Sequence, residues 1–251
     1  MKNRLAQLFR DNAGRRVNGG FPLAMEATVN RGNGDETEAT IYVYDVIGGW
    51  WGGVDAQEFV KELAGIKAGT IHLRINSPGG DVFDARAMQT ALRQHKAKVI
   101  AHIDGLAASA ATFLAMGADE IEMAEGGFFM IHNAWGFTIG NVNDHLEAAA
   151  MLEKVDGSIR ADYSRKTGKP DDEVRALMDA ETWMTAAEAK EAGFIDSIYE
   201  AEAPEDMFNL DAYDNAPDPL AGKPTKDEEE HAVVARLRAV TERRLQLVGE
   251  A

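Results

Sequence analysis

The chain has 251 residues, 45% of them hydrophobic and 27% charged, which is enough apolar material for one sizeable core with an appendage. Its 26 basic and 42 acidic residues give a net charge of −16, which repels phosphate backbones and anionic lipid surfaces and excludes nucleic acid and membrane as expected partners. Cysteine is absent, so disulfides, thiolate metal sites and a cysteine nucleophile are excluded too.

The stretch 1–20 is basic, but its apolar run is interrupted at Gln7 and stops at Arg10-Asp11, too early for the h-region of a signal peptide. Residues 1–35 are expected to be a flexible or removable N-terminal segment. A first strand is expected over 39–46, where Thr40-Ile41-Tyr42-Val43-Tyr44 gathers β-branched and aromatic residues. Phe59, Val60, Leu63 and Ile66 then recur at helical spacing within 54–66, and a strand follows over 70–75. The alternation repeats with a helix over 81–95, a strand over 99–103, a small-residue helix over 109–116 and short strands over 120–123 and 128–131. This repeated β-α-β order predicts an α/β fold of mostly parallel strands joined by crossover helices.

After His132 the pattern changes to one long helix over 142–167 and a second helix starting at Pro170-Asp171-Asp172, read as an arm over 134–178 that projects from the core. The chain returns through Trp183-Met184, a helix beginning near Thr185, and Phe194-Ile195-Asp196, closing a domain over 36–200. Beyond it, Pro204, Pro217, Pro219 and Pro224 among acidic residues predict a flexible linker, and Val233, Val234, Leu237, Val240, Leu245 and Val248 predict an amphipathic tail helix, so that 201–251 forms a tail. The longest apolar run, 105–118, is shorter than the roughly 20 residues of a membrane-spanning helix. A soluble, cytoplasmic protein is expected.

Three elements carry candidate chemistry. Gly105-Leu106-Ala107-Ala108-Ser109-Ala110-Ala111 sets one hydroxyl among residues with almost no side chain at a helix start, where unpaired N–H groups can stabilise an oxyanion and a substrate backbone can approach. Taken alone, such a serine is more often a helix N-cap. Ile75-Asn76-Ser77-Pro78-Gly79-Gly80 ends a strand in two glycines free to adopt φ > 0, which suits a further oxyanion donor or an ordinary turn. His132 closes the apolar strand over 128–131, where a neutral imidazole can receive a serine proton.

Together these pieces resemble the Clp family of self-compartmentalising serine peptidases over roughly 41–198. The matching motifs are Ile-Asn-Ser-Pro-Gly-Gly at 75–80, Gly-Leu-Ala-Ala-Ser-Ala at 105–110, Met-Ile-His-Asn at 130–133 and Ala-Glu-Ala-Lys-Glu-Ala-Gly-Phe-Ile-Asp at 187–196. The resemblance implies a crotonase-like spiral of β-α-β units with a protruding helical arm, a nucleophile at Ser109, a base at His132, and oxyanion donors from the N–H groups of Gly80 and Ala110. The family's usual acid, an Asp, aligns here with Glu181; Asp179 is the alternative, and a purely structural carboxylate is open for either. Within the family, Glu-Thr-Trp-Met-Thr-Ala at 181–186 and the acidic tail look most like the head-maturation peptidases of tailed phages, which implies scaffold and capsid-protein substrates and a homo-oligomeric ring. The rival readings are a housekeeping proteolytic subunit fed by an ATPase unfoldase, a Ser-Lys dyad using Lys96, Lys98, Lys154 or Lys166, and a crotonase-fold acyl-CoA enzyme or non-catalytic assembly protein.

No cofactor is expected, since the chain lacks a Gly-rich Lys-Ser/Thr loop for ATP. No metal site is expected either: His72 and His102 lie within strands, and His95, His145 and His231 lie on polar helix surfaces, without ligand spacing. Asp84 and Asp104 read as surface and strand-end acids, and Trp50-Trp51 as a turn or a subunit contact.

Overall fold

A computed structural model describes residues 25–31, 37–49, 52–201, 210 and 213–217; the Trp50-Trp51 pair and the expected tail helix lie outside the described residues. In chain order the elements are β1 (Met25–Arg31), β2 (Thr37–Val43), α1 (Ala56–Leu63), β3 (Thr70–Ser77), α2 (Val82–Gln94), β4 (Lys98–Ala108) and α3 (Ala110–Ala115). They continue with β5 (Glu120–Ala124), β6 (Phe128–Ile131), α4 (Val142–Thr167), α5 (Asp171–Asp179), β7 (Thr182–Thr185), α6 (Ala186–Glu191) and β8 (Ser197–Tyr199). The strands align in the order β1-β2-β3-β4-β5-β8, parallel throughout except for β1 against β2. Part of the N-terminal segment expected to be flexible or removable is therefore a paired strand.

Local chemistry sets the helix starts. Asp55 accepts from the Glu58 N–H (2.9 Å) to begin α1, and Asp81 accepts from the Phe83 and Asp84 N–H groups (2.8 and 3.0 Å) to begin α2. Along β3, Ile71, Leu73 and Ile75 alternate into the core, where Val99, Ala101 and Ile103 of β4 meet Phe59, Leu63, Met88 and Leu92 of α1 and α2.

The strand β4 runs past its expected end at Ile103 up to the residue before Ser109. Ile75 pairs with Ile103 but Ser77 with Ala107, so β4 carries extra residues there, and the Asn76 side chain accepts the Leu106 N–H (3.0 Å) inside the irregularity. Beyond this bend β4 leaves β5 and pairs with β6, which in turn pairs antiparallel with β7.

The arm helix α4 has 26 residues, which makes it about 39 Å long. Its C-terminal half is anchored through Asp162, 3% exposed, whose carboxylate accepts from Arg86 of α2, from Arg93 (3.0 Å) and from Arg165 (2.7 Å). Burial raises the pKa of this carboxyl, but the three guanidinium bonds outweigh it and hold the group below the ordinary aspartate value. Asp162→Ala leaves two core-helix arginines without their anion and should lower unfolding free energy by about 3 kcal/mol in urea titration, toward the cost of breaking a buried pair; a change within 0.5 kcal/mol would show the cluster to be ornamental. The opposite half of the arm exposes Val142, Leu146 and Met151, next to exposed Phe137 and Ile139.

Candidate active site

Ser109 occupies the single residue between β4 and α3, with φ 55° and ψ −124°. This left-handed backbone costs a non-glycine residue on the order of 1–3 kcal/mol and persists only because its surroundings fix it. The Ser109 N–H donates to the Met130 carbonyl of β6 (2.9 Å), and its carbonyl accepts from the Thr112 N–H (3.0 Å) and hydroxyl (2.5 Å), the latter also bonded to the Tyr163 hydroxyl (2.6 Å). Its side chain makes no capping bond, so the plain N-cap reading does not hold. Instead Ser109 Oγ lies 2.7 Å from His132 Nε2.

His132 is brought there by strand register. Ala108 pairs with Met130, so the residue after β4 and the residue after β6 project from neighbouring strand ends. Below it, Asp156 of α4 accepts the Ala134 N–H (2.7 Å) and ties the following loop to the arm. Burial pulls the His132 pKa down from its ordinary value to about 4, so the ring is neutral near pH 7; with its proton on Nδ1, Nε2 accepts from the serine hydroxyl.

The Pro-Gly-Gly turn packs directly against the serine. Gly79 has φ +93°, and a Cβ on it would stand 2.6 Å from the Ala108 carbonyl and 2.8 Å from Ser109 Cβ, so only glycine fits. Gly80 is clamped by its neighbours: the Ile47 N–H donates to the Gly79 carbonyl and the Asp81 N–H to the Ile47 carbonyl, both at 2.8 Å. Neither the Gly80 nor the Ala110 N–H has a hydrogen-bond acceptor among the described residues.

The two acid candidates are placed differently. The β6–β7 pairing ends at Ile131↔Thr182; His132 follows it on one strand and Glu181, at φ 47° and outside strand geometry, precedes it on the other. Its carboxylate nevertheless accepts from the Trp183 indole (3.2 Å) and from the backbone N–H groups of Asp214 (3.2 Å) and Asn215 (2.7 Å). Asp179 accepts from the Asn133 side chain (2.7 Å). Among the described residues no carboxylate is bonded to His132, so the serine and histidine meet while the acid stands apart.

The remaining candidates sit in other settings. His72 and His102 pair with each other (2.8 Å) on the sheet, Asp104 binds Arg74, Tyr44 and Tyr199, and Lys98 and Lys166 form ion pairs with Glu120 (2.7 Å) and Asp196 (2.5 Å). No group of three or more potential metal ligands occurs among the described residues, and no described helix is long and apolar enough to cross a membrane. What sequence reasoning missed is Tyr213: its ring packs edge-on to His132 (5.4 Å between centroids) from a stretch of Asp, Asn and Pro that offers no periodic signal.

A family model described as Clp protease matches residues 55–202. The chain is 30% identical over 131 residues to the ATP-dependent Clp protease proteolytic subunit of Chlorella vulgaris, an alignment covering 51% of this chain and 65% of that protein. It is 31% identical over 149 residues to the same-named subunit of Streptococcus pneumoniae strain Hungary19A-6, covering 58% and 72%. Among solved structures, a mutant of ClpP1 from Listeria monocytogenes superposes with a TM-score of 0.57 at 22% identity, covering 65% of this chain and 92% of that one, which matches the α/β fold.

Proposed function

This chain belongs to the Clp protease family and is a hydrolase of the serine-peptidase type, and from that premise we propose that Ser109 is its nucleophile and His132 its general base. The observation that carries the reading is the 2.7 Å contact between Ser109 Oγ and a neutral His132 Nε2. As Oγ attacks a peptide carbonyl carbon, its proton passes to Nε2; the oxyanion that forms is met by the Gly80 and Ala110 N–H groups. The imidazolium then protonates the leaving amine, and water cleaves the acyl-enzyme by the same route in reverse. Glu181, which adjoins the last β6–β7 pair on β7 as His132 adjoins it on β6, is the acid that would orient the ring and stabilise its charged form, with Asp179 held by Asn133 instead.

The substrates proposed are polypeptides, and the finer reading is maturation of phage heads by cutting scaffold and capsid extensions in the host cytoplasm. It is supported by the Glu181 to Ala186 sequence and the acidic tail. A homo-oligomeric ring is supported by the exposed Phe137, Ile139, Val142, Leu146 and Met151, an apolar band along the arm. The names of the relatives favour a second reading, a proteolytic subunit working with an ATPase.

A fluorophosphonate probe tests the first claim: intact mass should show one adduct, on Ser109, and none after Ser109→Ala. A probe adduct elsewhere, with Ser109 unmodified, would defeat it. Cleavage of scaffold protein without ATP supports the phage reading, whereas degradation that depends on an added unfoldase and ATP supports the second.

A further inference from the structure

Beyond β8, in the stretch expected to be a flexible linker, Leu210, Tyr213 and Ala216 are buried. They form an apolar cluster with Val46, with Leu106 and Ala108 of β4, and with Met130 of β6, the two strands whose ends carry Ser109 and His132. The Tyr213 ring stands edge-on to both His132 and Trp183 (5.4 and 5.8 Å between centroids). Its hydroxyl donates to the Pro78 carbonyl (2.6 Å), in the turn that cradles the serine. The next two residues take the acid: the Asp214 and Asn215 N–H groups donate to the Glu181 carboxylate, and the Asn215 side chain donates to the Ala180 carbonyl (2.9 Å).

We propose that Leu210 and residues 213–216 form an intramolecular strap that keeps the enzyme latent, filling the groove beside Ser109 and holding the Glu181 carboxylate on its own amides instead of on His132. The inference rests on the assignment of Ser109 and His132 as the reacting pair. Two effects act together. A substrate chain must displace Tyr213, which stands against His132, to engage the pair, and His132 lacks the carboxylate that would fix its tautomer and stabilise its imidazolium. Release of the strap clears the site and frees Glu181, which directly precedes the last β6–β7 pair, Ile131↔Thr182, as His132 directly follows it. Because the strap is tethered to the same chain, it competes with substrate at a high effective concentration, and a modest intrinsic affinity suffices.

The test uses the full chain with Tyr213→Ala and, separately, Leu210→Asp, substitutions that loosen the strap and keep Ser109, His132 and Glu181 as they are. Fluorophosphonate labelling of Ser109 and hydrolysis of a short fluorogenic peptide should both rise at least tenfold in each variant. Adding Glu181→Gln to Tyr213→Ala should cancel most of that gain, which mere opening of the groove would not predict. Equal labelling of the parent and both variants overturns the strap and leaves the Ser109 assignment standing, as does slower labelling of folded variants. Absence of labelling in all three overturns both.

Discussion

Ser109→Gly should abolish peptide cleavage, with a loss on the order of 10⁶-fold, the scale on which a serine-peptidase nucleophile is missed, and at the same time leave the fold slightly more stable. The two effects separate because the residue carries two burdens. Its hydroxyl is the group bonded to His132, while its backbone sits at φ 55°, where a Cβ is unfavourable. Glycine removes that strain, on the order of 1–3 kcal/mol, and returns roughly 0.5–1 kcal/mol through greater freedom of the unfolded chain. A net gain of about 1 kcal/mol in urea unfolding, alongside lost turnover, is the expected pair of results. Ser109→Ala should lose activity equally without the gain. Turnover surviving in either variant would mean that another group attacks the substrate.

His132→Ala should cost nearly as much activity, on the order of 10⁵–10⁶-fold, because a serine hydroxyl without its base is a poor nucleophile at neutral pH. The pH profile of labelling identifies the group. Burial holds His132 near 4, so the base is neutral above that value and is lost as the pH falls through it: the parent chain should show an acid limb centred near 4. A carboxylate brought against the ring favours the imidazolium and raises the pKa, so the limb should move upward in chains where Glu181 is free to engage His132. A limb that stays put in His132→Ala would assign it to another residue.

Much of this site was legible because its determinants are local. The run of small residues around Ser109, the Pro78-Gly79-Gly80 turn and the apolar strand before His132 each announce a backbone conformation within a few residues. The long arm helix was found with its bounds, since Asn141 and Asp144 make a reciprocal cap at one end and Gly168, at φ 74°, stops the other. What was not legible is set by partners distant in sequence. The strand β7 is four residues long and exists through its pairing with β6, β8 has three residues and lies on β5, and β1 is recognisable only against β2. Composition also misled about the tail: prolines and acids read as solvated linker, yet Leu210 and Tyr213 are buried in an apolar cluster that no local pattern could announce. The role of Glu181 divides the same way, its position following from strand register and its hydrogen bonds from the tail.

The bend in β4 bears on how such a chain can drift over generations. Ser109 and His132 are held together by the Ala108↔Met130 pairing and the Ser109 N–H bond to Met130, not by the path between them. Turns along that path, such as the one at Gly117-Ala118, are therefore free to lengthen or shorten as long as β5 and β6 still find their places. A single residue gained or lost inside Phe128–Ile131 has the opposite consequence: because successive side chains on a strand face opposite ways, the imidazole would turn to the far side of the sheet and the pair would be dissolved in one step.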